Sequence, residues 1–137
     1  INQNEINFLD FHFTTEERKR LKHVFGEKER TQAIIRAFSE KRMGDAACIL
    51  SETHESLSKN FEVSCEEIDF LQSTLIEEGV LGARMIGGGF GGCILVLDTL
   101  NRKSSIENNV KKKYWEKFKI EAEFYSFTIS DGVNSVI

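Results

Sequence analysis

Apolar residues recur with helical spacing through the first half of the chain. The first helix is predicted to begin at Thr14, because Thr14 and Glu17 form a Thr-x-x-Glu capping box whose side chains satisfy free amides of the first turn. We expect Gly44 to end this helix and Asp45 to cap the next one. The apolar positions of this first helix are Leu21, Val24, Phe25, Ile34, Ile35 and Phe38.

Two more helices are predicted before residue 80. The third helix should begin at Ser64, with Glu67 as its partner in a second capping box, and should end at Gly79. Both helices have one apolar face, formed by Ala46, Leu50, His54 and Leu57 in the second helix and by Ile68, Leu71 and Leu75 in the third.

The pattern becomes that of strands after residue 80. Residues 80–85 are short and apolar, a glycine-rich stretch follows, and residues 93–97 form an unbroken apolar run that predicts a central strand. A fourth helix is then expected from Ser104, with Glu107 as its capping-box partner. Its apolar positions lie four apart at Ile106, Val110, Tyr114 and Phe118.

Both ends of the chain are predicted to be extended. Residues 1–13 alternate imperfectly between apolar and polar, which suggests a strand or an extended lead-in. Residues 125–129 alternate cleanly, and the dipeptide at 131–132 is Asp-Gly, a hairpin signal before a returning strand over 133–137. Three helices followed by a strand-rich half indicate a layered α+β domain.

Composition narrows the class of protein. The 137 residues suit one domain, spanning 1–137, and the net charge of −4 lacks the basic footprint of a nucleic-acid binder. No run approaches the length of a membrane-spanning helix and no secretory pattern follows Ile1, so we expect a cytoplasmic protein. Because the first residue is Ile1 and not Met, we interpret the chain as a fragment or a processed product. Three scattered cysteines and three histidines show no metal-site spacing and predict reduced thiols without a metal.

Five of the ten glycines fall within residues 87–92. Glycine loses more backbone entropy on folding than any other residue, so such density suggests that the backbone must approach another group closely. Successive amides without side chains can hold anionic oxygens. A tight corner between two strands, with no ligand, is the alternative. The candidate binding residues are Gly87, Gly88, Gly89, Phe90, Gly91 and Gly92.

Three familiar phosphate-binding loops do not fit this segment. The dinucleotide fingerprint must open a helix, whereas this loop runs into a predicted strand. A Walker A loop needs a Gly-Lys-Ser/Thr ending, and no lysine follows here. A protein-kinase glycine loop needs downstream Val-Ala-Ile-Lys and His-Arg-Asp segments, which the chain does not contain.

Residues 82–93, Gly-Ala-Arg-Met-Ile-Gly-Gly-Gly-Phe-Gly-Gly-Cys, resemble the third motif of the galactokinase family, within the GHMP small-molecule kinase superfamily. The resemblance runs from about residue 18 to the end of the chain. Other matching segments are Lys22-His23-Val24 with Glu27 and Arg30, Gly44-Asp45, residues 52–57, residues 61–65 with Ile68-Asp69, Phe124-Tyr125 and Asp131-Gly132.

This resemblance implies the C-terminal domain of a galactokinase, with a ferredoxin-like antiparallel sheet, helices packed on one face and extra helices. The full-length parent is then expected to transfer the γ-phosphoryl group of ATP, with magnesium, to the 1-hydroxyl of D-galactose. The N-terminal domain of such an enzyme carries the catalytic aspartate, the sugar site and most ATP and magnesium contacts. We therefore expect no catalytic residue or metal ligand in this chain, and no activity from it alone.

The resemblance assigns the glycine loop a supporting role, either lining the cleft near the transferred group or supporting the nucleotide loop across it. Two alternatives stay open: a GHMP kinase acting on N-acetylgalactosamine or arabinose, and a non-catalytic sensor that binds ATP and sugar. The chain departs from the family at Ile86, where a threonine is common, and at Val133, where alanine is frequent.

Several other residues have structural and functional interpretations. His54 is expected to be a buried, hydrogen-bonded core histidine, and Glu27 and Arg30 to pair on one helix. Arg84 adjoins the loop and would face either a phosphate or a carboxylate. Lys111, Lys112 and Lys113 are expected to form a solvated face, beside a partly buried Trp115.

Overall fold

The computed structural model describes residues 13–127. Four α-helices surround a two-stranded sheet in this part of the chain. The helices are α1 (Thr15–Ser39), α2 (Met43–Ser56), α3 (Glu66–Glu77) and α4 (Lys103–Phe118), and the strands are β1 (Gly82–Ile86) and β2 (Cys93–Leu97). Helix α2 continues into a π-helical turn, Leu57–Phe61, and a short 3₁₀ turn, Leu100–Arg102, precedes α4.

The capping box predicted at the start of α1 is confirmed. The amide of Thr14 donates to the Glu17 carboxylate at 2.8 Å, and the amide of Glu17 donates to the Thr14 hydroxyl at 3.3 Å. Each side chain thus satisfies an amide that the helix itself leaves free. The first helix therefore begins where the sequence predicted.

The other two predicted capping boxes are wrong. Helix α3 begins one residue later than expected, with Cys65 in the capping position, and the Ser64 hydroxyl donates to the Asp69 carboxylate at 2.5 Å instead. Helix α4 already begins at Lys103, so Ser104 lies inside its first turn and caps nothing. The motif needs its first residue immediately before the helix, and neither serine occupies that position.

The boundary predicted at Gly44 is also wrong. Helix α1 ends at Ser39, and Gly44 with Asp45 lies in the first turn of α2. The chain reverses through Lys41, whose φ is +57°, and the amide of Arg42 donates to the carbonyl of Ala37 at 2.8 Å. This is a Schellman ending with lysine at the position that glycine usually occupies, so no glycine marks the end of this helix in the sequence.

Helix α3 ends in the same kind of turn, but with the expected glycine. Gly79 has a φ of +85°, and the amide of Val80 donates to the carbonyl of Leu75 at 3.2 Å. Val80 then enters the core beside Leu75, which gives the turn its hydrophobic contact. The predicted end of this helix is confirmed.

Strands β1 and β2 pair antiparallel, from Gly82 opposite Leu97 to Ile86 opposite Cys93. The α+β class is therefore confirmed. Within the described chain β2 has one strand neighbour, so its predicted central position is not seen there. Of the strand predicted over 125–129, residues 125–127 are described, and these three do not form a strand. The predicted strand at 133–137 and the lead-in over residues 1–12 lie outside the described residues.

The hydrophobic core lies between the sheet and helices α3 and α4. It consists of Leu75, Val80, Ala83, Ile106 and Val110. Helix α2 packs on the opposite side of β1, and the backbones of the helix and the strand lie very close together. A Cβ at Gly82 would stand 2.2 Å from the carbonyl oxygen of Ala47, so only glycine permits this contact.

The turn after α2 is tied to α1 by charge. The Glu62 carboxylate contacts Lys19 at 2.7 Å and Arg20 at 2.5 Å. Hydrogen bonds from these two cations lower the pKa of Glu62 to about 2. Glu62 also has a left-handed φ of +58°, a backbone conformation that few non-glycine residues adopt. The two ion pairs are therefore made by a residue with an unusual backbone conformation.

Candidate functional site

The glycine loop, residues 87–92, connects β1 to β2 through an unusual backbone path. Its φ angles are +97° at Gly87, +94° at Gly89, +58° at Phe90, +135° at Gly91 and +101° at Gly92. Residues with a Cβ rarely adopt such angles, so the glycines are needed for the path itself. Phe90 adopts a left-handed angle with its ring 75% exposed.

One side of the loop rests on the segment before α3. The amide of Phe90 donates to the carbonyl of Val63 at 2.7 Å. A Cβ at Gly89 would lie 2.6 Å from that same oxygen and 2.9 Å from the Cβ of Val63. Gly89 is therefore a packing glycine, and Val63 fixes the tip of the loop.

The other side of the loop is open. A Cβ at Gly87, Gly88 or Gly91 would meet no atom within 4 Å. The amides of Gly88, Gly89 and Gly91 donate no hydrogen bond within residues 13–127. Free amides on an open, left-handed backbone are suited to anionic oxygens such as those of a phosphate.

Among residues 13–127, the outer edge of β1, the strand that enters the loop, is bound by side chains rather than by another strand. In an antiparallel pair, alternate amides point away from the partner. On β1, the amide of Ala83 donates to the Ser51 hydroxyl at 3.3 Å, and the amide of Met85 donates to Nδ1 of His54 at 3.1 Å. The side chain of Gln72 donates to the carbonyl of Ala83 at 3.3 Å.

His54 is the buried, hydrogen-bonded histidine that the sequence predicted, since it is only 4% exposed. Its Nε2 lies 3.3 Å from Oδ1 of Asp69. The two oxygens of Asp69 also accept from Ser58 at 2.8 Å and from Ser64 at 2.5 Å. Burial lowers the pKa of His54, against the opposing attraction of Asp69, so the neutral ring is favoured.

A second buried histidine, His23, lies on α1. Its Nδ1 is 3.0 Å from the Ser56 hydroxyl, and its ring stacks on Phe61 with 4.6 Å between the centroids. Burial lowers its pKa as well. The predicted pair of Glu27 and Arg30 is confirmed at 2.7 Å, and Nη2 of Arg30 is buried without a hydrogen-bond partner in the described structure.

Arg84 has no carboxylate partner within residues 13–127. Its Nε donates to the carbonyl of Met85 at 3.2 Å. Of the two interpretations offered for Arg84, the ordinary ion pair is therefore not formed in the described structure. Ile86 ends β1 opposite Cys93 and is 41% exposed, which places the unusual residue of this motif at the mouth of the loop.

The lysine run on α4 is only partly a solvated face. Lys113 contacts Glu78 at 2.7 Å, and the ammonium group of Lys111 lies 5.8 Å from the centre of the Phe124 ring. Trp115 is 52% exposed. These contacts attach α4 to the end of α3 and to the segment that follows α4.

The remaining chemistry of the described residues is modest. Cys48, Cys65 and Cys93 are free thiols. Across residues 13–127, no three His, Cys, Asp or Glu side chains are grouped so that they could hold a metal ion. In the same part of the chain, no helix is both long and apolar enough to cross a membrane.

Comparison with known proteins identifies the family. The family model for the C-terminal region of GHMP kinases matches residues 32–117. This match covers more than half of the chain, which therefore belongs to the GHMP kinase C-terminal family. The matched region includes α2, α3, both strands, the glycine loop and nearly all of α4.

Within that family, the chain is similar to galactokinases. It is 41% identical over 120 residues to the galactokinase of Thermotoga neapolitana and 39% identical over 119 residues to that of Thermosipho africanus. These alignments cover 87% and 86% of this chain, respectively, but 34% of each relative. The chain thus spans about a third of the length of the curated relatives it matches.

The fold agrees with the sequence match. The solved structure of the Lactococcus lactis galactokinase complexed with galactose superposes with a TM-score of 0.85 and 32% identity. The superposition covers 91% of this chain and 33% of that one. The GHMP C-terminal fold expected from the third motif is confirmed.

Sequence reasoning found the glycine loop but missed the residues that hold it. Val63 contributes a carbonyl oxygen, which any residue type would offer, so no sequence signal marked its role. Ser51 acts through one side-chain contact to β1, whereas the Asp69 carboxylate contacts His54, Ser58 and Ser64. In the sequence Asp69 is marked only as part of a family segment, because its three partners come together only in the folded chain.

Proposed function

We propose that this chain is the C-terminal domain of a galactokinase, whose full-length protein transfers the γ-phosphoryl group of ATP to the 1-hydroxyl of D-galactose. The observation that carries the proposal is the combined match to galactokinases, in sequence at about 40% identity and in structure at a TM-score of 0.85. Galactose as the substrate is supported by the similarity to galactokinases, one of which has been solved in complex with galactose. A cytoplasmic location, where ATP is available, is part of the proposal.

We assign most of the ATP, magnesium and galactose contacts to a preceding N-terminal domain of the same polypeptide. Two features support this division of roles. The chain spans about a third of its relatives' length, and its described residues contain no cluster suited to a metal ion. ATP supplies the transferred group, and magnesium neutralises part of its charge.

The contribution of this chain is to line the cleft with the glycine loop. Phosphoryl transfer depends on positioning and on stabilising charge, so backbone amides beside the phosphates are useful even without a catalytic side chain. The open face at Gly87, Gly88 and Gly91 fits that role, because no side chain separates these amides from a ligand. The proposed binding residues are Gly87, Gly88, Gly89, Phe90, Gly91 and Gly92.

The charged residues in and near the loop indicate the charge of the ligand that the site favours. Arg84 lies on β1, three residues before Gly87, and has no carboxylate partner in the described structure. Its positive charge would favour an anionic ligand at the loop. A metal ion would find no carboxylate in the loop itself, so the chain's own residues fit a phosphate better than a cation.

The test is turnover by the full-length protein. ADP release should be measured with galactose, N-acetylgalactosamine and arabinose in parallel, with ATP and magnesium present. We expect turnover with galactose well above the other two sugars. Preference for another sugar would replace the proposed substrate within the same family. Binding of ATP and galactose by calorimetry with no product would instead identify a sensor.

A further inference from the structure

His54 and Asp69 connect β1, the strand that enters the glycine loop, to helix α3. We propose that these two side chains are positioning residues that set the conformation of the loop through the amide of Met85. The inference deepens the proposed function and rests on it for the consequence in catalysis. Neither residue would touch the substrate in this role.

The hydrogen bonds define which nitrogen of His54 carries the proton. Nδ1 accepts from the amide of Met85 at 3.1 Å, so it must be unprotonated. The proton of the neutral ring is then on Nε2, which lies 3.3 Å from Oδ1 of Asp69 and donates to it. Asp69 thus selects the tautomer that accepts from Met85.

Asp69 is itself held in place. The hydroxyl of Ser58 donates to one of its oxygens at 2.8 Å, and the hydroxyl of Ser64 donates to the other at 2.5 Å. The ring of His54 is 4% exposed, so water does not compete for its nitrogens. The orientation of the imidazole is therefore fixed from both sides.

This arrangement reaches the loop at two points. Met85 stands two residues before Gly87, so its amide fixes the entry to the loop. Val63, which holds the tip through the amide of Phe90, directly precedes Ser64. One rigid base therefore supports both the entry and the tip, and the free amides between them keep a defined direction.

A simple core role for His54 can be separated from this positioning role, because β1 offers a matched contact. Ser51 accepts from the amide of Ala83 at 3.3 Å on the same edge, two residues further from the loop. Loss of this contact weakens the strand edge without touching Met85. Ser51→Ala is therefore the control for damage to the edge alone.

The experiment uses the full-length protein with His54→Leu, His54→Asn, Asp69→Asn and Ser51→Ala. Turnover with galactose and ATP gives kcat and KM, and hydrogen exchange follows the amides of residues 85–92. We expect His54→Leu to lower kcat by about 10- to 100-fold, the range that small misplacements near a reacting group produce. Exchange at the hydrogen-bonded amides of Met85 and Phe90 should become faster, and KM for galactose should change little.

Two variants test the mechanism. The side chain of asparagine can place an oxygen close to the position of Nδ1, so His54→Asn should recover much of the lost kcat. Asp69→Asn can donate to Nε2, which moves the ring proton to Nδ1 and breaks the bond to Met85. We expect the imidazole ¹⁵N spectrum to report this change of tautomer, with a fall in kcat. Ser51→Ala should keep kcat near that of the unchanged protein.

Several outcomes would overturn the proposal. Unchanged kcat and unchanged loop exchange in His54→Leu would show that the histidine only fills space. Equal losses in Ser51→Ala and His54→Leu would show a general weakening of the edge. If His54→Leu does not fold, the tautomer and exchange in Asp69→Asn decide the question. If the unchanged protein turns over no sugar, the proposed function fails, whereas exchange at residues 85–92 still tests the positioning.

Discussion

The backbone amide of Phe90 donates to the carbonyl of Val63 across 2.7 Å. This bond joins the tip of a glycine-rich loop to a residue 27 positions earlier in the chain, just ahead of α3. It makes Phe90 the loop residue whose amide is already engaged, while the amides of its glycine neighbours stay available. A loop with so little side-chain mass thus has a defined shape as well as an open face.

Two glycines of the loop should respond differently to alanine. Gly89→Ala should displace the tip, because the new Cβ would lie 2.6 Å from the carbonyl oxygen of Val63 at a φ of +94°. Strain and overpacking of this kind cost about 1–3 kcal/mol. Chemical denaturation of the full-length protein should show a loss of stability, together with reduced turnover.

The control for this prediction is Gly88→Ala. Gly88 has no left-handed φ, and a Cβ there meets no atom within 4 Å. Stability should therefore stay unchanged, so a fall in turnover would report a ligand close to the loop. Full turnover by Gly88→Ala would argue that no ligand approaches this side of the loop.

The contact between β1 and α2 should be sensitive at Gly82. Gly82→Ala forces a Cβ to within 2.2 Å of the Ala47 carbonyl oxygen, and the strand or helix must move. The expected cost is about 1–3 kcal/mol, as for other insertions into a packed interior. Gly44→Ala is the comparison, because it meets nothing within 4 Å in the first turn of α2. It should be neutral or slightly stabilising, as measured by the denaturation midpoint.

Stability should fall at mildly acidic pH. Burial lowers the pKa of both His54 and His23 below 6.5. Attraction by Asp69 opposes this shift for His54, and attraction by Glu27 opposes it for His23. The positive charge of Arg84 lowers both pKa values further, and that of Arg30 also lowers the pKa of His23. The unfolded chain then binds more protons than the folded one, so the free energy of unfolding decreases as pH falls from about 6.5 towards the folded pKa values. Below those values the effect levels off.

Denaturation curves between pH 8 and pH 5 measure this dependence. His54→Asn removes one of the two buried imidazole rings of the described structure while keeping an acceptor for Met85, so its stability should vary less with pH. A variant with the same pH dependence as the unchanged protein would contradict the assignment to His54. His23→Asn provides the corresponding measurement for the second ring.

Two apparent capping boxes can be compared directly. Thr14→Ala removes a hydroxyl that accepts from the amide of Glu17 and should cost about 0.5–2 kcal/mol. Ser104→Ala lies within the first turn of α4, where the serine makes no capping bond, and should change the denaturation midpoint little. A similar cost for both would mean that α4 begins at a different residue than the structure shows.

The sequence predicted the elements better than their boundaries. Apolar spacing located the four helices of residues 13–127, and in α2, α3 and α4 buried residues such as Leu50, Leu75 and Val110 follow it. In α1 it located the helix but not its buried face, because Val24, Ile35 and Phe38 are exposed and the buried residues are His23 and Ala37. Boundaries depend on single turns, and the end of α1 uses Lys41 in a conformation for which glycine is the usual signal. The two serines that mimicked capping residues matched the motif but not its position relative to the helix.

The site was predictable only in part, for a physical reason. Glycine density marks where a backbone path is unusual, so the loop was visible in the sequence. The residues that orient it act through backbone carbonyls and through contacts between distant segments, as between His54 and Met85. Such contacts depend on how helices and strands pack, and no local pattern specifies them. The family resemblance added the fold, which local patterns alone had narrowed only to a layered α+β class.

The side chains along the outer edge of β1 also determine which edge of the sheet can accept a further strand. Ser51, His54 and Gln72 use the backbone groups of Ala83 and Met85 that a neighbouring strand would need. In the sheet formed by residues 13–127, the edge of Cys93–Leu97 is therefore the one that stays available to a further strand. The occupied backbone groups of β1 also protect its edge from pairing with a strand of a second molecule.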